Sequence, residues 1–175
     1  FNPDDSSVVE RIFKWRTAFE MIKQHPVVGV GAGNLKVNFA LYQAKVRDKA
    51  RFQLRGTSES NVHNEYLQIW AETGTVGLLS FLSIFVIYFY NLFLYLHNHK
   101  LSTVNFQFIV GLSSGILGFL VYCLSNFPLR IVPTAVMVFL FLGLSNTTPS
   151  EGIHKLHNKN KTSNWVVRIL VLLII

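Results

Sequence analysis

Acidic side chains are almost missing from the second part of this chain. Residues 73–175 hold a single one, Glu151, against six basic residues. Cysteine is scarcer still: Cys123 stands alone inside an apolar run, which excludes an internal disulfide and any cysteine metal cluster. The histidines (His25, His63, His97, His99, His154 and His157) are dispersed along the chain, so no metal is expected. No secretory leader is visible, because residues 1–7 are polar and acidic. Charge of either sign is scarce overall, at 14% against 50% hydrophobic residues, well below an ordinary soluble domain.

What charge there is sits unevenly. Residues 1–72 carry ten of the sixteen Lys and Arg and eight of the nine Asp and Glu. Beyond them the basic residues fall in short connectors between apolar runs, a pattern of membrane orientation rather than of a nucleic-acid surface. Nucleic acid is therefore not an expected partner. Thr75 to Leu96 has no charged residue, roughly 33 Å of helix at ~1.5 Å per residue, enough to cross a bilayer core. A second span is expected over 105–127 and a shorter third over 131–145. A connector over 146–164 follows, and a further span begins at 165–175. The chain starts without Met and ends within the apolar stretch Trp165 to Ile175, which leads us to expect a fragment of a larger membrane protein.

The connectors set the orientation. His97 to Lys100 and the stretch holding Lys155, Lys159 and Lys161 fall on one side and are net basic. That side is expected to be cytoplasmic, which leaves residues 1–74 outside. The fold class expected is all-α: a polytopic transmembrane helical bundle with a helical extracytoplasmic loop domain over 1–74.

That outer segment has its own pattern. Ser7 and Glu10 are spaced as a capping box, and Val8, Ile12, Trp15, Phe19 and Ile22 recur as one helical stripe. His25-Pro26 stops this helix. Gly29, Gly31 and Gly33 lack the spacing of a dinucleotide fingerprint and are expected to form a structural turn. Residues 35–55 predict a basic amphipathic helix with Leu35, Phe39, Tyr42 and Val46 on its apolar side. It is either a solvated face or a surface for anionic lipid, glycan or phosphate. Ser60 or Asn61 is expected to cap the next helix, and Gly74 and Gly77 to mark its junction with the first span.

Three side chains stand out chemically. His63 sits beside a helix start, where the positive end of the macrodipole favours a neutral ring able to accept a proton, while Glu65 acts the other way. The bland alternative is a polar residue opening a helix. Arg11 has no acidic partner at i±4, unlike Arg16, and arginine binds phosphate oxygens with a planar fork. Arg130 lies between two apolar runs, which makes it either a functional group or a side chain snorkelling to headgroups. The small residues Gly111, Ser113, Ser114, Gly115 and Gly118 line a helix face, suited either to close packing or to a transport path. No carboxylate lies within the spans to couple ions, which argues against transport.

Taken in order, Arg11-x3-Trp15, Met21-x3-His25-Pro26-x2-Gly29-x-Gly31-x-Gly33, His63-Asn64-x9-Gly74-x2-Gly77 and Asn126-Phe127-Pro128-Leu129 resemble the O-antigen ligase and Wzy-type polymerase superfamily. The resemblance implies a membrane glycosyltransferase of the bacterial inner membrane, acting on an undecaprenyl-pyrophosphate-linked glycan with no cofactor or metal. It implies His63 as catalytic residue and Arg11 as a pyrophosphate ligand, with Asn64 and Arg130 as accessory candidates. A second family arginine belongs to an earlier loop absent here, so this piece alone is expected to be inactive. Gly77 is followed by Leu78 and Leu79 rather than a further histidine. Ligation to lipid A core, repeat-unit polymerisation and transfer to a protein hydroxyl all stay open. Outside enzymes, a lipid-binding or transport module is the competing class.

Overall fold

In the computed structural model, the described residues are 6–50, 61–98 and 103–146, and every regular element among them is helical. They form α1 (Ser6–Gln24), α2 (Leu35–Ala50), α3 (Glu65–Asn98), α4 (Thr103–Tyr122), a 3-10 turn (Pro128–Arg130) and α5 (Val132–Asn146). The chain is thus all-α. Helices α3 and α4 are long and apolar enough to cross a membrane, and α5 is apolar but shorter. Arg51, Arg55, Ser60, the 147–164 part of the expected connector and the start of a span at 165–175 lie outside the described residues.

The described residues divide into two compact units. One takes those up to Leu79 together with Gly118–Ala135, the other Ser80–Leu117 with those from Val136 onward. In the first unit, α1 and α2 form a helical hairpin. Its core holds Ala18, Met21 and Ile22 from α1, Leu35, Phe39 and Tyr42 from α2, and Val62 and Ala71 from the α3 region. Each large apolar side chain fully buried there contributes ~1.5–3 kcal/mol. The apolar stripe expected for α2 is the buried one. For α1 the buried side is rotated from expectation: Phe13, Lys14, Thr17, Ala18 and Met21 are buried, whereas Phe19 is 43% exposed and meets Trp70 edge-on at 6.5 Å. The physical reason is size. Thr17 and Ala18 are small enough to let neighbouring helices approach, and Lys14 is tolerated inside because Glu10 pairs with it at 2.7 Å.

Pro26 ends α1 at Gln24, and the glycine turn that follows does not float. It docks by its main chain onto a break in α3. Gly74 leaves helical geometry (φ 69°, ψ −170°), which frees backbone donors and acceptors on both sides of the break. The turn supplies their partners. Val30 and Gly31 donate to the carbonyls of Ala71 (3.0 Å) and Glu72 (2.8 Å), while Thr75 and Val76 donate to those of Pro26 (2.8 Å) and Val27 (3.3 Å). The two backbones come so close that a Cβ on Gly29 would strike the Glu72 carbonyl, and one on Gly74 the Val27 carbonyl. The structural turn expected from the glycine spacing is what forms.

The second unit is built by side-chain fit. The Tyr88 hydroxyl and Ser113 Oγ are hydrogen-bonded at 2.8 Å, and a Cβ on Gly115 would press on the Phe141 ring at 2.8 Å. Ser113 and Gly115 are therefore used for packing α4 against its neighbours.

Gly74→Ala adds a Cβ at positive φ, costing about 1–2 kcal/mol before the clash with Val27 is counted. Thermal unfolding of the detergent-solubilised full-length protein should show a clear drop in Tm, with Gly33→Ala, where a Cβ meets nothing within 4 Å, dropping less.

Candidate active site

His63 precedes α3 and has a left-handed backbone, with φ 54°, the one positive value at a non-glycine among the described residues. Such a conformation costs of order 1–2 kcal/mol in a residue bearing a Cβ. Two neighbours over-determine it. The Asn64 side chain caps the helix, its Oδ1 accepting from the Leu67 N–H at 2.9 Å, and its Nδ2 donates to the Leu124 carbonyl at 3.0 Å. The His63 ring meets Phe127 edge-on, with centroids 5.0 Å apart. The cap is therefore Asn64 and not the expected Asn61. The left-handed turn at His63 swings the following residue into the capping position, and no local pattern announces that turn.

The segment 123–130 closes over this helix start. It begins where α4 ends, with the Cys123 carbonyl accepting from the Glu65 N–H at 2.9 Å and the Leu120 carbonyl accepting from the Tyr66 hydroxyl at 2.8 Å. Phe127, held non-helical by the proline after it (φ −127°, ψ 60°), leads into the 3-10 turn that carries Arg130. From there Arg130 reaches two acids one face of α3 presents seven residues apart. Its Nη2 lies 2.6 Å from Glu72 Oε2 and its Nε 3.6 Å from Glu65 Oε1. Backbone donors engage the same carboxylates: Glu65 accepts through its other oxygen, Oε2, from the Leu129 N–H at 3.1 Å, and Glu72 Oε2, the oxygen that meets Arg130, also accepts from the Gly33 N–H at 3.1 Å.

Both carboxylates are buried, while a third of the Arg130 side chain stays open. Burial pushes the Glu65 carboxyl above its ordinary 4.5, opposed by the Leu129 hydrogen bond and Arg130 and reinforced by Glu72. One guanidinium thus serves two acids.

Of the four candidate residues, the fold brings three to one end of α3: His63, Asn64 and Arg130. Arg11 is exposed on α1. Arg130 is engaged by carboxylates. Glu65 and Glu72 were missed as its partners. The signal was present, since Arg130 is the one charged residue between Leu101 and Ser145, and such a lone cation calls for buried anions. Among the described residues, no three His, Cys, Asp or Glu side chains gather as a metal site would require.

Asn64→Ala should cost ~1 kcal/mol through loss of the cap, read as a fall in Tm that Asn64→Asp largely restores. Glu65 gives a pH signature. Because its folded pKa is raised, the folded state binds more protons than the unfolded chain from pH 4.5 upward. Its contribution to stability therefore falls as pH rises through the folded pKa. Glu65→Gln, which cannot ionise, should flatten that part of the Tm–pH curve.

Residues 2–82 match the family model described as O-antigen ligase, a segment that includes α1, α2, His63, Asn64 and the Gly74 break. No curated protein and no solved structure matches the chain. The matched segment carries the first three of the ordered motifs as well as the helix start around His63, and over it the chain is similar to the O-antigen ligase family.

Proposed function

We propose that the chain is part of an inner-membrane glycosyltransferase that moves a glycan from an undecaprenyl-pyrophosphate carrier to an acceptor hydroxyl, with residues 1–74 on the periplasmic side. The match of residues 2–82 to the O-antigen ligase family model supports an O-antigen ligase or polymerase type of enzyme working at a membrane. The observation that carries the rest is the His63 backbone, held at φ 54° beside the start of α3. Strain of this kind persists where surrounding structure enforces it, and it clusters at sites of chemistry.

In the proposed reaction the His63 imidazole takes the proton of the acceptor hydroxyl. The oxygen attacks the anomeric carbon as the bond from that carbon to the pyrophosphate oxygen breaks. Arg11, exposed on α1, receives the departing phosphate charge with its planar fork, helped by a second arginine outside this chain. A single displacement inverts the anomeric centre. Asn64 and the Glu65–Arg130–Glu72 network hold the base in position without touching the sugar. Ligation to lipid A core, repeat-unit polymerisation and transfer to a protein hydroxyl all use this chemistry and differ in the acceptor. We favour ligation on the His-Asn-x9-Gly-x2-Gly spacing.

The test is glycan product analysis in cells making the full-length protein. His63→Ala should lower transfer at least ~100-fold, the usual scale for a general base, while the lipid-linked donor accumulates intact. Arg11→Ala should act likewise and Arg11→Lys recover part of the activity. Normal transfer by His63→Ala at wild-type protein levels would refute the role of the ring.

A further inference from the structure

Helix α2 is apolar on two opposite sides, and the reaction above uses neither. Leu35, Phe39, Tyr42 and Val46 are buried in the hairpin. At ~100° per residue, Val37, Ala40, Leu41 and Ala44 make a second stripe on the far side. All four are exposed, Val37 by 74% and Leu41 by 65%. Lys36 and Lys45 flank the stripe, one on each border, and both are exposed; the Lys45 ammonium also lies 4.8 Å from the Tyr42 ring centroid.

A second apolar feature sits on the glycine turn. Val27 and Val28 are 59% and 69% exposed. Their height along α3 is set by the main chain: Pro26 accepts from both the Thr75 N–H and its hydroxyl, and Val27 from the Val76 N–H. Thr75 is the first residue of the charge-free run. The two valines therefore lie level with the point at which α3 becomes apolar.

A solvated helix has no need of an outward apolar stripe, whereas a helix lying in a membrane interface needs that stripe with basic residues along its edges. Charge selects the occupant. Between Leu35 and Ser58 the sequence has six basic residues and one acid, Asp48. Two copies meeting through this face would set lysines against lysines, while anionic headgroups would complement them. We propose that the outer stripe of α2 and the Val27–Val28 turn rest in the headgroup region of an anionic leaflet, with Lys36 and Lys45 pairing to lipid phosphates. This rests on the charge-free run from Thr75 crossing the bilayer and is independent of the chemistry assigned to His63.

The test uses full-length protein with its native cysteines replaced, reconstituted in phosphatidylcholine vesicles with or without phosphatidylglycerol. Single fluorescent labels are attached at Val27→Cys, Val37→Cys and Leu41→Cys. With phosphatidylglycerol, all three should be quenched by lipids bearing a nitroxide high on the acyl chain and shielded from aqueous iodide. Lys36→Gln or Lys45→Gln should weaken seating of the α2 labels about fivefold each, and added salt should act in the same direction. Labels at positions 37 and 41 that stay open to iodide whatever the lipid charge overturn the proposal. So does shielding from both quenchers accompanied, in the unlabelled variant under an added oxidant, by a disulfide between two Val37→Cys chains, which would assign the face to a second copy. Glycan transfer by the His63→Ala enzyme is measured separately, so failure here leaves that assignment standing.

Discussion

The main-chain docking of the glycine turn onto the broken helix is the contact on which the rest of the first unit depends. A helix interrupted at Gly74 presents donors and acceptors that water or another backbone must satisfy. Here residues 26–31 satisfy them, and only because Gly29 and Gly74 both lack a side chain where the two strands of backbone meet. Sequence neighbours thereby become spatial ones. The end of α1 and the start of α2 are held to the stretch of α3 that follows His63, so the hairpin and the candidate base share one junction.

Charge completes what the main chain begins. Glu72 belongs to both systems, its carbonyl taking Gly31 and its carboxylate taking Gly33 and Arg130. Through Arg130 the 3-10 turn is drawn onto the same face of α3, and Glu65 fastens it again at Leu129. Buried ion pairs contribute little net stability because desolvation offsets the attraction, yet removing one partner strands the other. The arrangement is better understood as a device of position: it fixes the turn carrying Phe127, whose ring bears on His63. Burial is the main cause that pushes the Glu65 carboxyl above its ordinary value, with the nearby Glu72 adding to it and Arg130 opposing it.

Several elements could be read without coordinates. The α2 core stripe is a clean i, i+4, i+7, i+11 series, and Pro26 ends α1 where a proline must. The turn character of Gly29, Gly31 and Gly33 follows from spacing that fits no nucleotide fingerprint. Other features misled. The α1 stripe through Phe19 is the more hydrophobic side, but packing chose the side with small residues because closeness of approach mattered more than hydrophobicity. The cap of α3 was displaced from Asn61 to Asn64 by one left-handed residue, a conformation propensity disfavours and only tertiary contacts sustain. Arg130 is legible as a cation in need of partners, yet its partners lie 58 and 65 residues earlier, a separation no local pattern spans.

What the sequence determined by itself is the helical class, the long uncharged runs, the places where helices stop and the ordered motifs that resemble those of O-antigen ligases. These follow from properties local to a few residues: apolar periodicity, missing charge, a proline's fixed ring, a glycine's freedom. The tertiary structure alone decided which face of α1 is buried, which residue caps α3, and that Glu65, Glu72 and Arg130 form one network beside His63. Each of those outcomes depends on desolvation and on contacts between distant segments, and neither exists until the chain has folded.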